Sequence, residues 1–388
     1  MSEWKEYKLG DIATFSQGIQ VAPDKQLLEQ RDGYIRFIRI VDYSKEGYEA
    51  PRYIEYPGDR YVVSQDDLVM IRYGSQTAGK IVRGISGAIA NNTFKIELSE
   101  HIATKDFIYY ILSQQSIYDY FMMAQASSTM PAITFGMMNN LEVILPSIED
   151  QIQITSILSS LDDKIDLLTR QNRTLEAMAE TLFRQYFNEK DNDDTIEQLI
   201  CIQNGYAFKS QDFKEMGTNG VVKIKNISGG VINIDTTDYI DSQIADAIHP
   251  KFRISSGDIL IAMTGAEIGK LGIIPSTDKS LWLNQRVGLL AEKYKGAKYL
   301  AYLQLKSDFG QDYIENTATG SAQPNISGNG IEKCGFPKLS DSNIIEYSYQ
   351  IGELYDKVIF NLGQISTLIQ LRNILLPKLM NGEIIVNG

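Results

Sequence analysis

At 388 residues and 43% hydrophobic content, the chain is long enough to bury two cores and too apolar to be disordered. Its 37 Lys and Arg against 49 Asp and Glu leave a formal charge of −12, which argues against a free-standing, non-specific nucleic-acid binder and leaves only local basic loops for such a role. Two cysteines, Cys201 and Cys334, exclude a disulfide framework or a cysteine-built zinc site and read as reduced thiols in a cytoplasmic protein, and neither a signal peptide nor a membrane span is expected.

Residues 1–147 read as a β-rich domain. The runs IRFIRIV (Ile35–Val41), DLVMI (Asp67–Ile71) and TFKIEL (Thr93–Leu98) are rich in β-branched and aromatic residues and bounded by Gly, Asp or Asn, which predicts strands. One amphipathic helix is predicted from Thr104 to about Met123, with Phe107, Ile111, Leu112, Ile117 and Phe121 inward. LEVILP (Leu141–Pro146) closes the domain as a strand that its proline ends.

Residues 148–190 form a helical region, with a helix predicted over Ile148–Phe187. Leu161, Leu168, Leu175 and Leu182 fall seven apart, and Leu158, Ile165, Asn172, Ala179 and Tyr186 make a second row. That is a two-position heptad seam with Asn172 as a polar residue inside it. At 1.5 Å per residue such a helix spans on the order of 55–60 Å. The acidic stretch Asn188–Asp194 reads as a solvated connector.

Residues 191–338 repeat the first plan, with strands at VVKIKNI (Val221–Ile227), DILIAM (Asp258–Met263) and RVGLLA (Arg286–Ala291). A helix follows near Lys298–Gln311, and KCGFP (Lys333–Pro337) is a weaker closing strand. Residues 339–388 form the second helical region. Ile351, Val358, Ile365 and Leu379 keep step there, Tyr355, Leu362, Ile369 and Leu376 interleave, and Arg372 interrupts the first row. Pro377 predicts a break and therefore a shorter helix.

The repetition extends to details. Asp67–Lys80 (DLVMIRYGSQTAGK) returns as Asp258–Lys270 (DILIAMTGAEIGK), and Tyr7–Ile19 matches Asp194–Tyr206 with Gly18 against Gly205. Ile89–Phe94 (IANNTF) falls against Trp282–Val287 (WLNQRV), and Thr129–Thr134 (TMPAIT) against Ala322–Ser327 (AQPNIS). A period near half the chain means two similar globular domains. Neither apolar helical stripe can face water, so the two helices are expected to pair antiparallel with the domains at opposite ends, in a pseudo-two-fold arrangement. The other arrangement would lay each helix on its own domain.

Recognisable catalytic chemistry is missing. His101 and His249 are far apart and read as surface or loop residues. No phosphate-binding loop, dinucleotide fingerprint, serine elbow or nuclease carboxylate pair is present, so the chain reads as no enzyme, with no cofactor and no metal. What remains is polar loops at matched positions. The first domain offers Arg72, Tyr73, Gly74, Ser75, Gln76, Thr77 and Lys80, then Asn91, Asn92 and Thr93, then Ser128 and Thr129. The second offers Thr264, Gly265 and Lys270, then Asn284, Gln285 and Arg286, then Ser321, Gln323 and Asn325. Glycine lets a loop approach a ligand closely, and these side chains are of the kinds that contact phosphates and base edges. A single such loop is ordinarily a solvated hairpin turn; recurrence at matched positions favours a ligand.

The domain–helix–domain–helix order, the start YKLGDIATFSQG, the DLVMIRYG…AGK and TMPAIT blocks, Leu145–Gln151 (LP-x-x-x-x-Q) and the terminal LLPKLMNGEI (Leu375–Ile384) together resemble one family. The chain is similar, over essentially its whole length, to the specificity subunit of a type I restriction–modification system. The resemblance implies an α+β fold with two β-rich target-recognition domains separated by two long α-helices forming an antiparallel coiled-coil pair. It implies that each domain reads half of a bipartite, gapped double-stranded DNA site, and that the helices act as a ruler and dock two methyltransferase (M) subunits. In the family those subunits bind S-adenosylmethionine and methylate adenine, and restriction (R) subunits hydrolyse ATP and cleave. Leu158, Leu161, Ile165, Leu168, Asn172 and Leu175, with Ile351, Val358, Leu362, Ile365 and Arg372, are the expected pairing and docking residues. The second domain departs from the pattern: Ile196 stands for Leu9, and Lys333–Glu346 is a poor copy of the first junction. A protein-interaction scaffold without DNA recognition is the competing class, and positive potential on the Arg72–Lys80 and Lys270–Arg286 surfaces would separate the two.

Overall fold

The computed structural model describes residues 4–43, 49–74, 77–124, 132–188, 190–227, 229–320, 324–384 and 386. Chain contacts divide it into two units, Met1–Asp162 with Gln370–Gly388, and Asp163–Ile369. Both cuts fall inside the long helices, so each unit holds one β-rich domain and a stretch of each helix.

The strands of the first unit are β1 (Lys5–Lys8), β2 (Ala13–Gln17), β3 (Tyr34–Ile38), β4 (Arg52–Glu55), β5 (Val62–Val63), β6 (Leu68–Ile71), β7 (Ile81–Val82), β8 (Gly87–Ile89), β9 (Thr93–Leu98) and β10 (Glu142–Leu145). Its helices are α1 (Leu9–Ile12), α2 (Lys105–Leu112), α3 (Gln115–Ala124), α4 (Phe135–Asn139) and the first part of α5 (Ile148–Phe187). The order β2-β9-β6-β7 makes one sheet, β4-β3-β8-β5 a second, and β1-β10 a separate ladder. Strand β6, LVMI, is buried on both faces, which is why it reads as a continuous apolar run. Leu68 and Met70 enter a core with Phe94, Phe107 and Phe121; Val69 enters a smaller one with Ile38, Val63 and Ile89.

The second unit repeats this topology. Its strands are β11 (Asp194–Thr195), β12 (Ile200–Asn204), β13 (Asn219–Val222), β14 (Gly230–Val231), β15 (Asp238–Ile240), β16 (Arg253–Ile254), β17 (Ile259–Ala262), β18 (Leu271–Ile273), β19 (Ser280–Leu283), β20 (Val287–Glu292) and β21 (Gly335–Phe336). Its helices are α6 (Ser242–Ala247), α7 (Ala297–Lys306), α8 (Asp308–Thr317), α9 (Gly328–Glu332), the rest of α5 and most of α10 (Asp341–Met380). The orders β12-β20-β17-β18 and β15-β13-β19-β16 reproduce the two sheets of the first unit, with β14 added at one edge. Even the parallel ladder recurs, β3 with β8 and β13 with β19.

Three expectations change. The helices expected over Thr104–Met123 and Lys298–Gln311 are each two helices. Ser113 ends α2, its hydroxyl donating to the Tyr110 carbonyl at 3.0 Å. Ser307 closes α7 and caps α8, accepting from the Gly310 amide at 3.1 Å; a Cβ on Gly310 would lie 2.1 Å from the Gln304 carbonyl oxygen. The runs Ile35–Val41 and Val221–Ile227 stop as strands at Ile38 and Val222, because a side chain captures the next amide. Asp42 accepts from Arg39 N and Asn226 from Lys223 N, both at 2.8 Å, and a 3₁₀ turn follows. Finally, α10 is as long as α5, 40 residues each. Pro377 lies in its last turn, where the missing amide costs one hydrogen bond and does not shorten the helix.

Helix α5 spans Ile148–Phe187 as predicted. Helices α5 and α10 run antiparallel in both units. In the second, Tyr186 stacks on Tyr347 with centroids 4.1 Å apart, and Asn172 meets Val358 and Asn361. In the first, Leu158 shares a core with Leu379, and Arg372 pairs with Asp162 at 2.8 Å. Leu158, Leu168, Asn172, Ile351 and Val358 are buried, while Leu161, Ile165, Leu175, Leu362, Ile365 and Arg372 are half-buried. Among the described residues, no helix is long and apolar enough to cross a membrane.

Candidate functional site

The matched loops leave the ends of β6 and β17 through the same backbone bonds. In the first domain Ile71 N donates to Lys80 O at 2.9 Å and accepts, through its carbonyl, the Gly79 amide at 2.8 Å. In the second, Ala262 bonds Lys270 O and Gly269 N, both at 2.9 Å. The next residue is pinned on two sides: Arg72 by Asn92 O (2.9 Å) and Ile133 N (3.0 Å), Met263 by Arg286 O (3.1 Å) and Ile326 N (3.0 Å). The residue after that bridges to the third segment, Tyr73 to Ala132 and Thr264 to Asn325. Gly79 and Gly269 hold φ of 85° and 81°, the left-handed region that the loop closure requires. Three segments thus converge in each domain.

The bonds also correct the sequence match. Ile19 N bonds Ile89 O at 2.9 Å, and Tyr206 N bonds Leu283 O at 2.8 Å. Ile89 is therefore equivalent to Leu283, one position along from the match of Ile89–Phe94 with Trp282–Val287. Asn91 faces the role of Gln285, Asn92 that of Arg286, and Thr93 that of Val287. A strand's register follows its ladder, and the side-chain similarity of the two segments is too low to reveal a one-residue shift.

Lys80, Gly74, Gln285, Arg286 and Asn325 are exposed, and Arg72, Tyr73, Thr77, Asn91, Asn92, Thr264, Gly265 and Asn284 are half-buried. The Arg72 guanidinium lies over the Tyr73 ring, 5.0 Å from its centroid. Thr77 donates its hydroxyl to Tyr73 O at 3.3 Å, and Asn91 donates its amide to Gln20 Oε1 at 3.4 Å. Lys270 is held in an ion pair with Glu267, and the Asn284 side chain accepts from Arg286 N at 3.4 Å. Thr93 is withdrawn from the surface. It is 1% exposed and donates its hydroxyl to Ala90 O at 2.8 Å, so it shapes the turn and offers nothing to a ligand. Ser75, Gln76, Ser128, Thr129, Ser321 and Gln323 lie outside the described residues. The buried atoms Arg72 Nε, Asn92 Oδ1 and Thr264 Oγ1 have no hydrogen-bond partner among the described residues.

Two further pairs of residues frame the site. A Cβ on Gly18 would lie 2.3 Å from the Ile89 and Ala90 carbonyl oxygens, and one on Gly205 2.2 Å from Asn284 O. Only glycine lets these chains touch; their recurrence at matched positions was the available signal. Asp67 and Asp258 each accept a backbone amide, Ser64 N at 2.7 Å and Ser255 N at 2.8 Å. Burial raises both carboxyls. For Asp67 the bonds to Lys105 and Ser64 outweigh burial and hold it below the ordinary carboxylate range. Asp258 has no such ion pair among the described residues, and burial pushes it up against the Ser255 bond. Among the described residues, no group of three His, Cys, Asp or Glu side chains is placed to hold a metal.

A family model described as the type I restriction modification DNA specificity domain matches residues 1–177 and 190–338. The MjaVIII type I restriction enzyme specificity subunit of Methanocaldococcus jannaschii is 25% identical over 347 residues, covering 84% of this chain and 79% of that one. The HindI specificity subunit of Haemophilus influenzae is 23% identical over 471 residues, covering 99% and 100%. The crystal structure of a type I restriction–modification S subunit from M. genitalium shares the fold, with a TM-score of 0.63 at 15% identity over 100% of this chain and 97% of that one. The chain belongs to the type I restriction–modification DNA-specificity family, as a specificity subunit and not a catalytic one.

Proposed function

We propose that each domain reads one half of a bipartite, gapped double-stranded DNA site through its strand-end surface. Arg72–Lys80 with Asn91 and Asn92 would serve the first half-site, and Met263–Lys270 with Gln285 and Arg286 the second. The observation that carries this reading is a backbone frame repeated bond for bond while its side chains differ: Arg72 against Met263, Tyr73 against Thr264, Asn92 against Arg286. A fixed frame with exchanged polar groups is what reading two different sequences requires.

The net charge of −12 is compatible with this role, because it lies elsewhere. Residues 19–92 hold ten Lys and Arg and ten Asp and Glu, and residues 206–286 hold nine of each. Neutral reading segments bind duplex DNA weakly alone, so partner subunits supply most phosphate contacts. Those partners are type I methyltransferase subunits, two per chain, joined by restriction subunits in a cytoplasmic complex. The seam residues are occupied by helix pairing. The surface left for docking includes Leu167, Met178, Ile345, Tyr349 and Phe360, large apolar side chains exposed on α5 and α10.

Exchanging Arg72–Lys80 for Met263–Lys270 in the methyltransferase complex tests the assignment. The expected result is a change in one half-site only. Changes in both half-sites, in neither, or loss of methyltransferase binding would each contradict it.

A further inference from the structure

We propose that Arg60 and Lys251 are sequence-independent phosphate anchors, one at the flank of each reading surface. This rests on the reading proposed above and adds to it a contact that both half-sites share. Each residue sits in a 3₁₀ turn, Asp59–Tyr61 before β5 and Pro250–Phe252 before β16. Strands β5 and β16 are the matching edges of their sheets. Val62 pairs with Ala88 and Arg253 with Trp282 in antiparallel ladders, and Ala88 is equivalent to Trp282 by the Ile89–Leu283 register. Arg60 is therefore equivalent to Lys251, and Tyr61 to Phe252. The backbone bonds agree: Tyr61 N donates to Gly58 O at 3.2 Å, and Phe252 N to His249 O at 3.1 Å. The segments DRYV (Asp59–Val62) and PKFR (Pro250–Arg253) share no residue, so only the ladder reveals the match. Because the strands run antiparallel, both turns lie at the strand end where Asn91–Asn92 and Gln285–Arg286 depart.

Three properties recur together at this position. Both cations are exposed, both lie over the half-buried ring that follows them, and neither has an ion pair among the described residues. The guanidinium carbon of Arg60 is 5.8 Å from the Tyr61 centroid, and Lys251 Nζ is 4.9 Å from that of Phe252. A ring face steadies a cation and leaves its N–H groups for another acceptor. Asp59, the carboxylate next to Arg60, is engaged by the Tyr56 hydroxyl. Other matched cations are already neutralised in at least one domain. Arg39 and Lys223 correspond, since Asp42 and Asn226 capture their amides alike, but Arg39 pairs with Asp42 and Glu49, and Lys223 with Asp238. Lys80 and Lys270 correspond too, but Lys270 pairs with Glu267. Inside the surface the side chains are exchanged between domains, Arg72 for Met263 and Asn92 for Arg286, whereas this flanking charge is kept. What two different half-sites have in common is the phosphate backbone, and arginine and lysine both bind it.

The test measures duplex binding by the complex of this chain with its methyltransferase subunits, from about 50 to about 200 mM salt. Arg60→Ala, Lys251→Ala and the charge-keeping Arg60→Lys and Lys251→Arg are compared with the native chain. Each is tested on a duplex carrying the methylated motif and on one lacking it. Each alanine variant should flatten the slope of log affinity against log salt by about 0.9 on both duplexes. The affinity loss is then about threefold greater at the low-salt end than at the high-salt end. The charge-keeping variants should retain the native slope, and all four should direct the native methylation motif, which also shows that they fold. An unchanged slope in the alanine variants, a motif altered in either half-site, or equal losses in alanine and charge-keeping variants would overturn the assignment. A native complex that binds duplex but directs no gapped motif would sink the underlying reading instead, and the slopes would still decide Arg60 and Lys251.

Discussion

Gln151 ties α5 to the first domain through one side-chain amide. Fully buried, it accepts from Thr104 N at 2.9 Å and donates to Ile102 O and Pro146 O at 2.9 and 3.1 Å. Gln151→Leu strands those groups without water, and a loss of roughly 1–3 kcal/mol is expected in the first unit. Amide exchange at Thr104 reads it locally, which suits a chain of two units better than one global midpoint. The aspartates at the loop entries predict opposite responses. Asp67 is held low, so its contribution is present above the ordinary carboxylate value and is lost as pH falls through its lowered one. Asp258 is held high, so the folded state binds its proton more tightly and acidification toward the ordinary value favours folding there. Asp67→Asn should cost about 1 kcal/mol through the lost Lys105 pair, and Asp258→Asn should cost nothing or stabilise. Exchange at the Ser64 and Ser255 amides, followed at neutral pH, distinguishes them.

The long helices carry their polar residues as a matched set. Asn361 donates to Asn172 Oδ1 at 2.9 Å, Asn172 donates to Val358 O at 3.4 Å, and both asparagines are buried. Asn361→Leu alone should cost about 1–3 kcal/mol by leaving Asn172 Oδ1 unpaired, and Asn172→Leu added to it should cost less than the sum of the two single changes. Denaturant titration of the four chains measures the coupling; strict additivity would show that the pair does not act as a unit. The seam was legible in the sequence because a heptad repeat from Leu158 to Tyr186, about eight helical turns, admits few other readings, and α5 has the predicted bounds. The breaks at Ser113 and Ser307 were not, since an apolar helical period continues across them and only the hydroxyl-to-backbone bonds reveal the corner. Pro377 misled in the opposite direction, because a proline's cost depends on how much helix lies beyond it.

At the scale of the whole chain, duplication was the most legible property and the reading surface the least. The repeated Gly18 and Gly205, Asp67 and Asp258, and Lys80 and Lys270 placed both loops, but Thr93 proved to be a core residue, and Asn92 rather than Thr93 corresponds to Arg286. Short polar segments lack the pattern that fixes register; only the ladder does. If the helices set the gap between half-sites, adding one helical turn, about four residues, beside Asn172 and another beside Asn361 should lengthen the tolerated gap and leave each half-site unchanged. A gap that stays fixed while the half-sites change would refute the ruler. The most direct test of the central claim is genome-wide mapping of methylated adenine in cells that express the methyltransferase subunits with and without this chain. One gapped, bipartite motif that disappears when the chain is omitted is the expected result. Methylation that persists without it, or a chain-bound complex that methylates no defined motif, would contradict the account.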